Sequence, residues 1–536
     1  MRTALLARFM IVGTLLCTAG AWAQQDASPA PEANQPEVPE YARQLRLYLF
    51  ADNVARGGVP DAEQLKKLVE DHGIQRLICL VGTEQAPEGH QAMVEGQGLA
   101  FERTPLGIDP TLPKAEQRID RAAVTALVER LADTDVKTYV YDQEGLAAAP
   151  FVVFAHRILV DKWQFADAVK EAIQTGFAAH EYQGLFQDMK LLASGLDELP
   201  QLEPIPFPAR NLVAPGEKIE VGGVTLNVKR SGDGPPVYVL HGGPGENHMQ
   251  FRPFLDPLAK FFEVVYYDQR GCGLSSRPQF AEAYTLDRLA KELDGLRQEL
   301  GHEKISLIGH SAGGVLALRY ALRYPQNVDK LVLVSTWASA EQFAQYIRLM
   351  EATLPVETRE ALVEEFNKFL SQRRNPNDAE ITELAKIMTP GSFFKRPTQA
   401  FLEDWYPRVN VSALVNDALQ TELFRDLDLR DRLTELSGIP TVVVAGKFDL
   451  IVPPSVQLTI ATTIGGARPV LFDQSGHYPF VEEPEKFLQM VARFLSDGNV
   501  LPGEGEEAVE AAPTDEAASA ESSPAPALTP APEGEQ

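Results

Sequence analysis

Gly309-His310-Ser311-Ala312-Gly313 is the pentapeptide from which the interpretation of this chain starts. It follows the apolar run Ile305–Ile308, which predicts a buried strand, and it precedes a segment with apolar residues at helical spacing, Val315, Leu316, Leu318, Ala321 and Leu322. A Gly-x-Ser-x-Gly turn between a strand and a helix holds its serine on a strained turn, with the hydroxyl above the end of the sheet. Glycine on either side allows close backbone approach. The pattern therefore predicts Ser311 as a nucleophile.

A glycine-rich loop upstream predicts where a developing negative charge would be stabilised. The apolar run Val237–Leu240 ends in His241-Gly242-Gly243-Pro244-Gly245. Backbone N–H groups of such a loop and of the first residue of a helix can donate to an oxyanion. We expect the amides of Gly243 and Ala312 to be the two donors.

An acid and a base are expected after the serine in chain order. Two further apolar runs, Thr441–Ala445 and Pro469–Phe472, are followed within a few residues by Asp449 and His477. Because the carboxyl ends of parallel strands share one edge of a sheet, these side chains are predicted to meet there. We assign Ser311 as nucleophile, His477 as general base and then acid, and Asp449 as the group that orients the imidazole. His241 and His310 are the rival bases, since each lies beside a predicted active-site loop.

A second motif connects this arrangement to a known family. The run Val264–Tyr267 is followed by Asp268-Gln269-Arg270-Gly271-Cys272-Gly273-Leu274-Ser275. Together with the loop at 241–245 and the pentapeptide, it resembles the proline iminopeptidase family of α/β-hydrolases, over residues 210–496. The resemblance implies an α/β-hydrolase fold with a helical lid, no cofactor, no metal, and a small peptide or ester substrate.

The family uses lid carboxylates to hold the free amine of the substrate. Amphipathic segments between 337 and 436 predict such a lid, and its candidate carboxylates are Glu341, Glu351, Glu403 and Glu422. The favoured activity is an aminopeptidase that releases N-terminal proline or other residues through an acyl-enzyme. A carboxylesterase or lactonase with the same triad is the alternative.

The N-terminal half predicts a separate α/β domain, over residues 41–200. Its elements and the loop after Val140 resemble the dual-specificity phosphatases, whose Cys-x5-Arg loop cradles phosphate. Here the matching positions hold Asp142 and Ala148, while Gly145 keeps its place. With Glu144 in the same loop, phosphate would be repelled, so an inactive domain is expected. Structural support and binding of a protein partner are the two roles left open.

The remaining segments predict export and disorder. Residues 1–23 have basic, apolar and Ala-x-Ala regions typical of a cleavable signal peptide, which indicates a periplasmic or secreted protein without a membrane span in the mature chain. A net charge of −26 argues against a nucleic-acid partner. The predicted organisation is a signal peptide 1–23, a disordered linker 24–40, a phosphatase-like domain 41–200, a Pro-rich linker 201–215, a hydrolase domain 216–496 and an acidic disordered tail 497–536.

Overall fold

The computed structural model describes residues 39–82, 88–204, 216–372 and 375–500. The predicted signal peptide and most of the two predicted linkers and the tail lie outside these ranges. Within them, no helix is long and apolar enough to span a membrane.

The N-terminal part contains a five-stranded sheet. Its strands are β1 Tyr48–Ala51, β2 Val54–Gly57, β3 Arg76–Cys79, β4 Ala100–Arg103 and β5 Thr138–Tyr141. They lie in the order β1-β2-β5-β3-β4, and only the β1–β2 pair is antiparallel. The central strand β5 is buried along its whole length, as expected for a strand with helices on both faces.

Seven helices accompany this sheet. They are α1 Glu40–Gln44, α2 Ala62–His72, α3 His90–Gly96, α4 Arg121–Ala132, α5 Ala148–Leu159, α6 Phe165–Gln174 and α7 Gln183–Ser194. Asp61 precedes Leu65, Leu68 and Val69, which have helical spacing, and is therefore expected to cap a helix. It caps α2 in a reciprocal capping box with Gln64. The apolar spacing of residues 115–131 predicts one amphipathic helix, and this prediction is wrong. A short 3₁₀ turn, Lys114–Glu116, is followed by extended residues, and α4 starts only after Asp120, whose carboxylate caps the amide of Ala123.

The C-terminal part is built on an eight-stranded, mostly parallel sheet. Its strands are β7 Glu217–Val221, β8 Val224–Ser231, β9 Pro236–Leu240, β10 Glu263–Tyr267, β11 Ile305–His310, β12 Val328–Val334, β14 Thr441–Gly446 and β15 Arg468–Phe472. Two short strands, β6 Gln201–Leu202 and β13 Arg396–Pro397, pair with each other outside this sheet. The order is β15-β14-β12-β11-β9-β10-β8-β7. Residues 218–221 and 224–229, joined by Gly222-Gly223, predict a hairpin, and the antiparallel pairing of β7 with β8 confirms it. The β8–β10 pair is also antiparallel. The pentapeptide serine directly follows β11, near the centre of this sheet.

Helices cover both faces of this sheet and one edge. They are α8 Leu286–Glu299, α9 Ala312–Arg323, α10 Ala340–Thr353, α11 Val356–Gln372, α12 Asp378–Met388, α13 Gln399–Trp405, α14 Ala413–Thr421, α15 Pro454–Thr463, α16 Pro479–Glu482 and α17 Pro484–Asp497. Helices α10 to α14 form a helical insertion between β12 and β14, where the sequence placed amphipathic helices. The sequence predicts a helix over 396–405 in this insertion, but α13 begins only at Gln399, because Arg396 and Pro397 form β13.

The two sheets belong to one compact unit. One cluster of buried side chains extends from Phe50 and Phe165 in the N-terminal part to Phe448 and Ile464 in the C-terminal part. The pairing of β6 with β13 adds backbone hydrogen bonds, although the sequence had placed Gln201 and Leu202 in a linker. The N-terminal part is therefore packed against the C-terminal part through a shared apolar core.

Candidate active site

Ser311 occupies the strained turn that the sequence predicted. Its backbone has φ 55° and ψ −125°, a conformation that L-residues rarely adopt, and α9 begins at the next residue. A β carbon on Gly309 would lie 2.6 Å from the carbonyl oxygen of Gly313. One on Gly313 would overlap the carbonyl oxygen of Leu240. Both glycines are therefore required by close approach of the backbone, and the turn presents Ser311 at the carboxyl end of β11.

Asp449 and His477 meet at the same edge of the sheet. The imidazole Nδ1 of His477 lies 2.9 Å from Oδ2 of Asp449. The other carboxylate oxygen of Asp449 accepts the amides of Ile451 and Val452, both at 2.9 Å. Asp449 is fully buried, and His477 is 4% exposed. Since Ser311 and His477 line one cavity, the structure brings the three predicted residues to a common site.

The two rival histidines are held by other partners. Nε2 of His241 accepts the amide of Gln269 at 3.1 Å, and burial lowers the pKa of His241 to about 4. His310 contacts Oε1 of Gln250 through Nδ1, at 2.8 Å, and the carbonyl oxygen of His477 through Nε2, at 2.9 Å. Burial lowers the pKa of His310 well below its ordinary value. Both rings are buried and connect loops of the site.

The glycine-rich loop after β9 borders the cavity. Gly243 has φ 112°, a left-handed conformation that favours glycine, and it lines the cavity. Ala312 opens α9 and is 8% exposed. The two expected oxyanion donors thus belong to the loop and to the helix start that flank Ser311.

The loop at 268–275 is held by buried charges. The Asp268 carboxylate accepts Nδ1 of His248 at 2.7 Å, Nδ2 of Asn227 at 3.0 Å and the amide of Leu274 at 2.9 Å. His248 and these N–H donors outweigh burial and lower the pKa of Asp268 to about 2. Arg270 forms a buried ion pair with Glu292 at 2.8 Å. Asp268 and Arg270 therefore fix this loop beside the site through buried hydrogen bonds and an ion pair.

The cavity above Ser311 has a volume of about 170 Å³ and a largely apolar wall. The helical insertion supplies much of that wall, including Phe343, Met350, Leu384, Val411 and Phe424. Asn416 and Gln420 of the same insertion add amide groups. The structure thus places predicted insertion residues directly over the predicted nucleophile.

The four candidate carboxylates of the insertion do not line this cavity in the part of the chain that the structure describes. Glu341 is exposed and pairs with Arg430 at 3.1 Å. Glu403 is an exposed residue that accepts Nε2 of Gln399, and Glu422 accepts the amide of Leu286. Glu351, 9% exposed, lies in α10 outside the lining.

Glu246 is the carboxylate that the sequence interpretation missed. It directly follows the glycine-rich loop, and it lines the cavity together with Ser311 and His477. Nε2 of Gln250 donates to its Oε2 at 3.0 Å, and burial raises the pKa of Glu246 to about 7. Its adjacency to the loop was the available signal. Spacing in the sequence does not show that its side chain turns toward the cavity.

The loop of the N-terminal part that resembles a phosphate cradle surrounds a side chain of its own. The Asp142 carboxylate accepts the amides of Gly145, Leu146 at 3.3 Å, Ala147 at 3.1 Å and Ala149 at 2.8 Å. Glu144 is exposed. The loop amides are therefore already satisfied by an internal anion.

Within the described residues, no group of three or more His, Cys, Asp or Glu side chains is arranged to hold a metal ion. The two cysteines in this part of the chain, Cys79 and Cys272, are buried and not paired in a disulfide.

Comparison with known proteins agrees with the fold of the C-terminal part. The family described as alpha/beta hydrolase fold matches residues 235–484. A proline iminopeptidase of Saccharolobus solfataricus is 30% identical over 261 residues, which cover 48% of this chain and 83% of that protein. One of Lactobacillus crispatus is 31% identical over 281 residues, covering 50% and 92%. A solved α/β fold family hydrolase from Bacillus anthracis str. Sterne has 26% identity and a TM-score of 0.42, covering 51% of this chain and 96% of that one.

The matched half of the chain holds the pentapeptide, the glycine-rich loop and the predicted acid and base. The N-terminal part lies outside the family match, so its resemblance to phosphatases stays a prediction. The chain therefore belongs to the α/β-hydrolase family, and proline iminopeptidases are among its relatives.

Proposed function

We propose that this hydrolase is a serine aminopeptidase that releases N-terminal proline or other residues from peptides, after export to the periplasm or the medium. The observation that carries the proposal is the Asp449–His477 hydrogen bond at a cavity shared with Ser311 on its strained turn. A serine, a histidine and an aspartate arranged in this way form the catalytic triad of a serine hydrolase.

The proposed reaction proceeds in two halves. His477 removes the proton from the Ser311 hydroxyl as Oγ attacks the scissile carbonyl, and Asp449 stabilises the imidazolium that forms. The amides of Gly243 and Ala312 donate to the oxyanion. The imidazolium then protonates the leaving amine, the C–N bond breaks, and an acyl-enzyme remains. A water molecule, deprotonated by His477, attacks the acyl carbonyl and releases the N-terminal residue and free Ser311.

The Glu246 carboxylate in the cavity would favour substrates with a free amine. Burial makes the Glu246 carboxylate costly to ionise, and its pKa is raised although His477 favours the charged form. A substrate ammonium beside it would offset that cost by a charge-assisted hydrogen bond. The apolar wall would accept a prolyl or aliphatic side chain. Glu246 would thus take the amine-binding role that the sequence had assigned to the insertion, which would act as a lid.

The test compares two substrate classes in three proteins. We expect wild type to hydrolyse Pro-, Ala- or Leu-arylamides as well as a short-chain nitrophenyl ester, and Ser311→Ala to lose both activities. Glu246→Gln should raise KM for the arylamides at least tenfold, because the lost hydrogen bond between the carboxylate and the substrate ammonium contributes about 1.5–3 kcal/mol. KM for the ester should change by less than about twofold. An N-acetylated arylamide should resist wild type.

A carboxylesterase or lactonase using the same triad is the alternative. Ester turnover without arylamide turnover, unaffected by Glu246→Gln, would favour it and contradict the aminopeptidase assignment.

The N-terminal domain is proposed to have no phosphatase activity. Asp142 fills its amide cradle, and neither a cysteine nor an arginine stands at the two matching positions. Release of phosphate from nitrophenyl phosphate by the Ser311→Ala protein would contradict this proposal.

A further inference from the structure

The N-terminal domain contacts the segment that carries the predicted acid. Phe448 immediately precedes Asp449, and its buried ring contacts two other aromatic rings. Phe394 stacks on it at a centroid distance of 4.1 Å, and Phe165 of α6 contacts it at 4.8 Å. One residue earlier, Nζ of Lys447 donates to the carbonyl of Ala193, at the end of α7, at 2.7 Å. Both residues before the acid are thus held by the N-terminal domain.

A second contact reaches the segment beside the predicted base. Nζ of Lys190, also in α7, donates to the carbonyl of Phe393 at 3.4 Å. The neighbouring carbonyl of Ser392 accepts the backbone amide of His477 at 2.8 Å. Gly476 approaches this segment so closely that a β carbon there would lie 3.0 Å from the nitrogen of Phe394. The position of the His477 backbone therefore depends on residues 392–394.

Glu482 joins these parts through one buried carboxylate. Its Oε1 accepts the amides of Phe394 and Lys395, both at 2.8 Å, and its Oε2 accepts the amide of Gly476 at 2.6 Å. The ammonium of Lys190 favours the ionised form of Glu482 across the domain boundary, although burial still raises the pKa of this group. A cation of the N-terminal domain thus faces the group that ties the base loop to residues 394–395.

We propose that the N-terminal domain positions the acid and the base of the catalytic triad, with Phe165 and Lys190 as positioning residues. The inference rests on the proposed function, because it takes Asp449 and His477 to be those groups. Displacing a catalytic group by about 1 Å can cost on the order of 10²-fold in rate. Removing the ring of Phe165 removes one of the aromatic contacts of Phe448, and the Asp449 loop can then shift relative to Ser311.

The experiment compares matched Phe→Ala substitutions in the full chain. Phe50, whose ring contacts His156 within the N-terminal domain, is the control for Phe165. Both variants should have lower melting temperatures than wild type. At a temperature where both are folded, Phe165→Ala should lower kcat for the better wild-type substrate by about 10- to 100-fold, with KM changed less than about twofold. Phe50→Ala should keep wild-type kcat, and Phe165→Leu should recover most of the lost rate.

Lys190→Met is a second test, which leaves most of the apolar side chain in place. The methionine side chain is one atom shorter than that of lysine, and the substitution removes the donor to Phe393 and the charge facing Glu482. We expect a lower kcat with unchanged KM, and partial recovery in Lys190→Arg.

The outcomes separate this inference from the proposed function. An active wild type in which Phe165→Ala and Phe50→Ala lose kcat equally, or in which neither Phe165→Ala nor Lys190→Met alters kcat, would contradict the inference alone. A wild type that turns over neither substrate would overturn both.

Discussion

At the scale of single residues, Asp449 is the group whose chemistry can be changed with least effect on packing. In Asp449→Asn, the amide oxygen can still accept from Ile451 and Val452, so the loop should stay folded. The amide N–H would face Nδ1 of His477 and force its hydrogen onto Nε2, where it cannot take the serine proton. We expect kcat to fall on the order of 10⁴-fold with a nearly unchanged melting temperature. Steady-state kinetics with thermal unfolding tests this, and a loss of less than tenfold would contradict the assigned role.

Glu246 predicts different pH behaviour for two substrate classes. Burial raises its pKa to about 7, so the charged form that pairs with an ammonium gains population as pH rises through 7. The ratio of kcat/KM for an arylamide to kcat/KM for a neutral ester should rise over that range, because both substrates use the same triad and only the arylamide needs Glu246 charged. In Glu246→Gln the ratio should be flat. A wild-type ratio independent of pH would argue against amine binding by Glu246.

At the scale of elements, the turn between β11 and α9 depends on missing side chains. A β carbon on Gly313 would overlap the carbonyl of Leu240, so Gly313→Ala must move α9 away from β9. We expect the free energy of unfolding to fall by about 1–3 kcal/mol and activity to be lost. Gly438→Ala is the control, since nothing lies within 4 Å of its added carbon. Urea unfolding measures the change in stability, and an activity assay measures the loss of turnover. Equal stability and activity in the two variants would contradict this account of the turn.

The elements of the hydrolase domain could be predicted from sequence because local signals and burial agree. Strands such as β11 and β14 are mainly apolar and are buried at every position, and the loops after them carry Ser311 and Asp449. The 115–131 segment was misjudged because its apolar spacing continues through a stretch where Asp120 caps a new helix. The cavity carboxylate was missed for a different reason. Glu246 reaches the cavity only in the tertiary fold that brings it together with Ser311 and His477, and spacing does not encode that arrangement.

At the scale of the whole molecule, Glu482 predicts how stability depends on pH. Burial raises its pKa to about 8, against an ordinary value of 4.5, and the N–H donors and Lys395 only partly oppose this. The folded state therefore holds this proton more tightly than the unfolded state. The resulting stability is complete below pH 4.5 and is lost as pH rises through 8. Between pH 4.5 and pH 8 the free energy of unfolding of wild type should fall by on the order of a few kcal/mol more than that of Glu482→Gln, because each pKa unit corresponds to about 1.4 kcal/mol.

Urea unfolding of both proteins across this range measures the difference directly. Comparing slopes with pH removes the constant cost of placing an amide beside the Gly476 N–H. Parallel curves for the two proteins would show that Glu482 does not titrate differently on folding.

The molecule as a whole is proposed to act through one nucleophile, and covalent labelling tests this most directly. The protein is treated with a fluorophosphonate, and the modified peptide is identified by mass spectrometry. The account predicts a single adduct on Ser311, absent in Ser311→Ala and formed far more slowly in His477→Ala. No adduct on wild type, or an adduct on a different residue that persists in Ser311→Ala, would contradict the assignment of a serine hydrolase centred on Ser311.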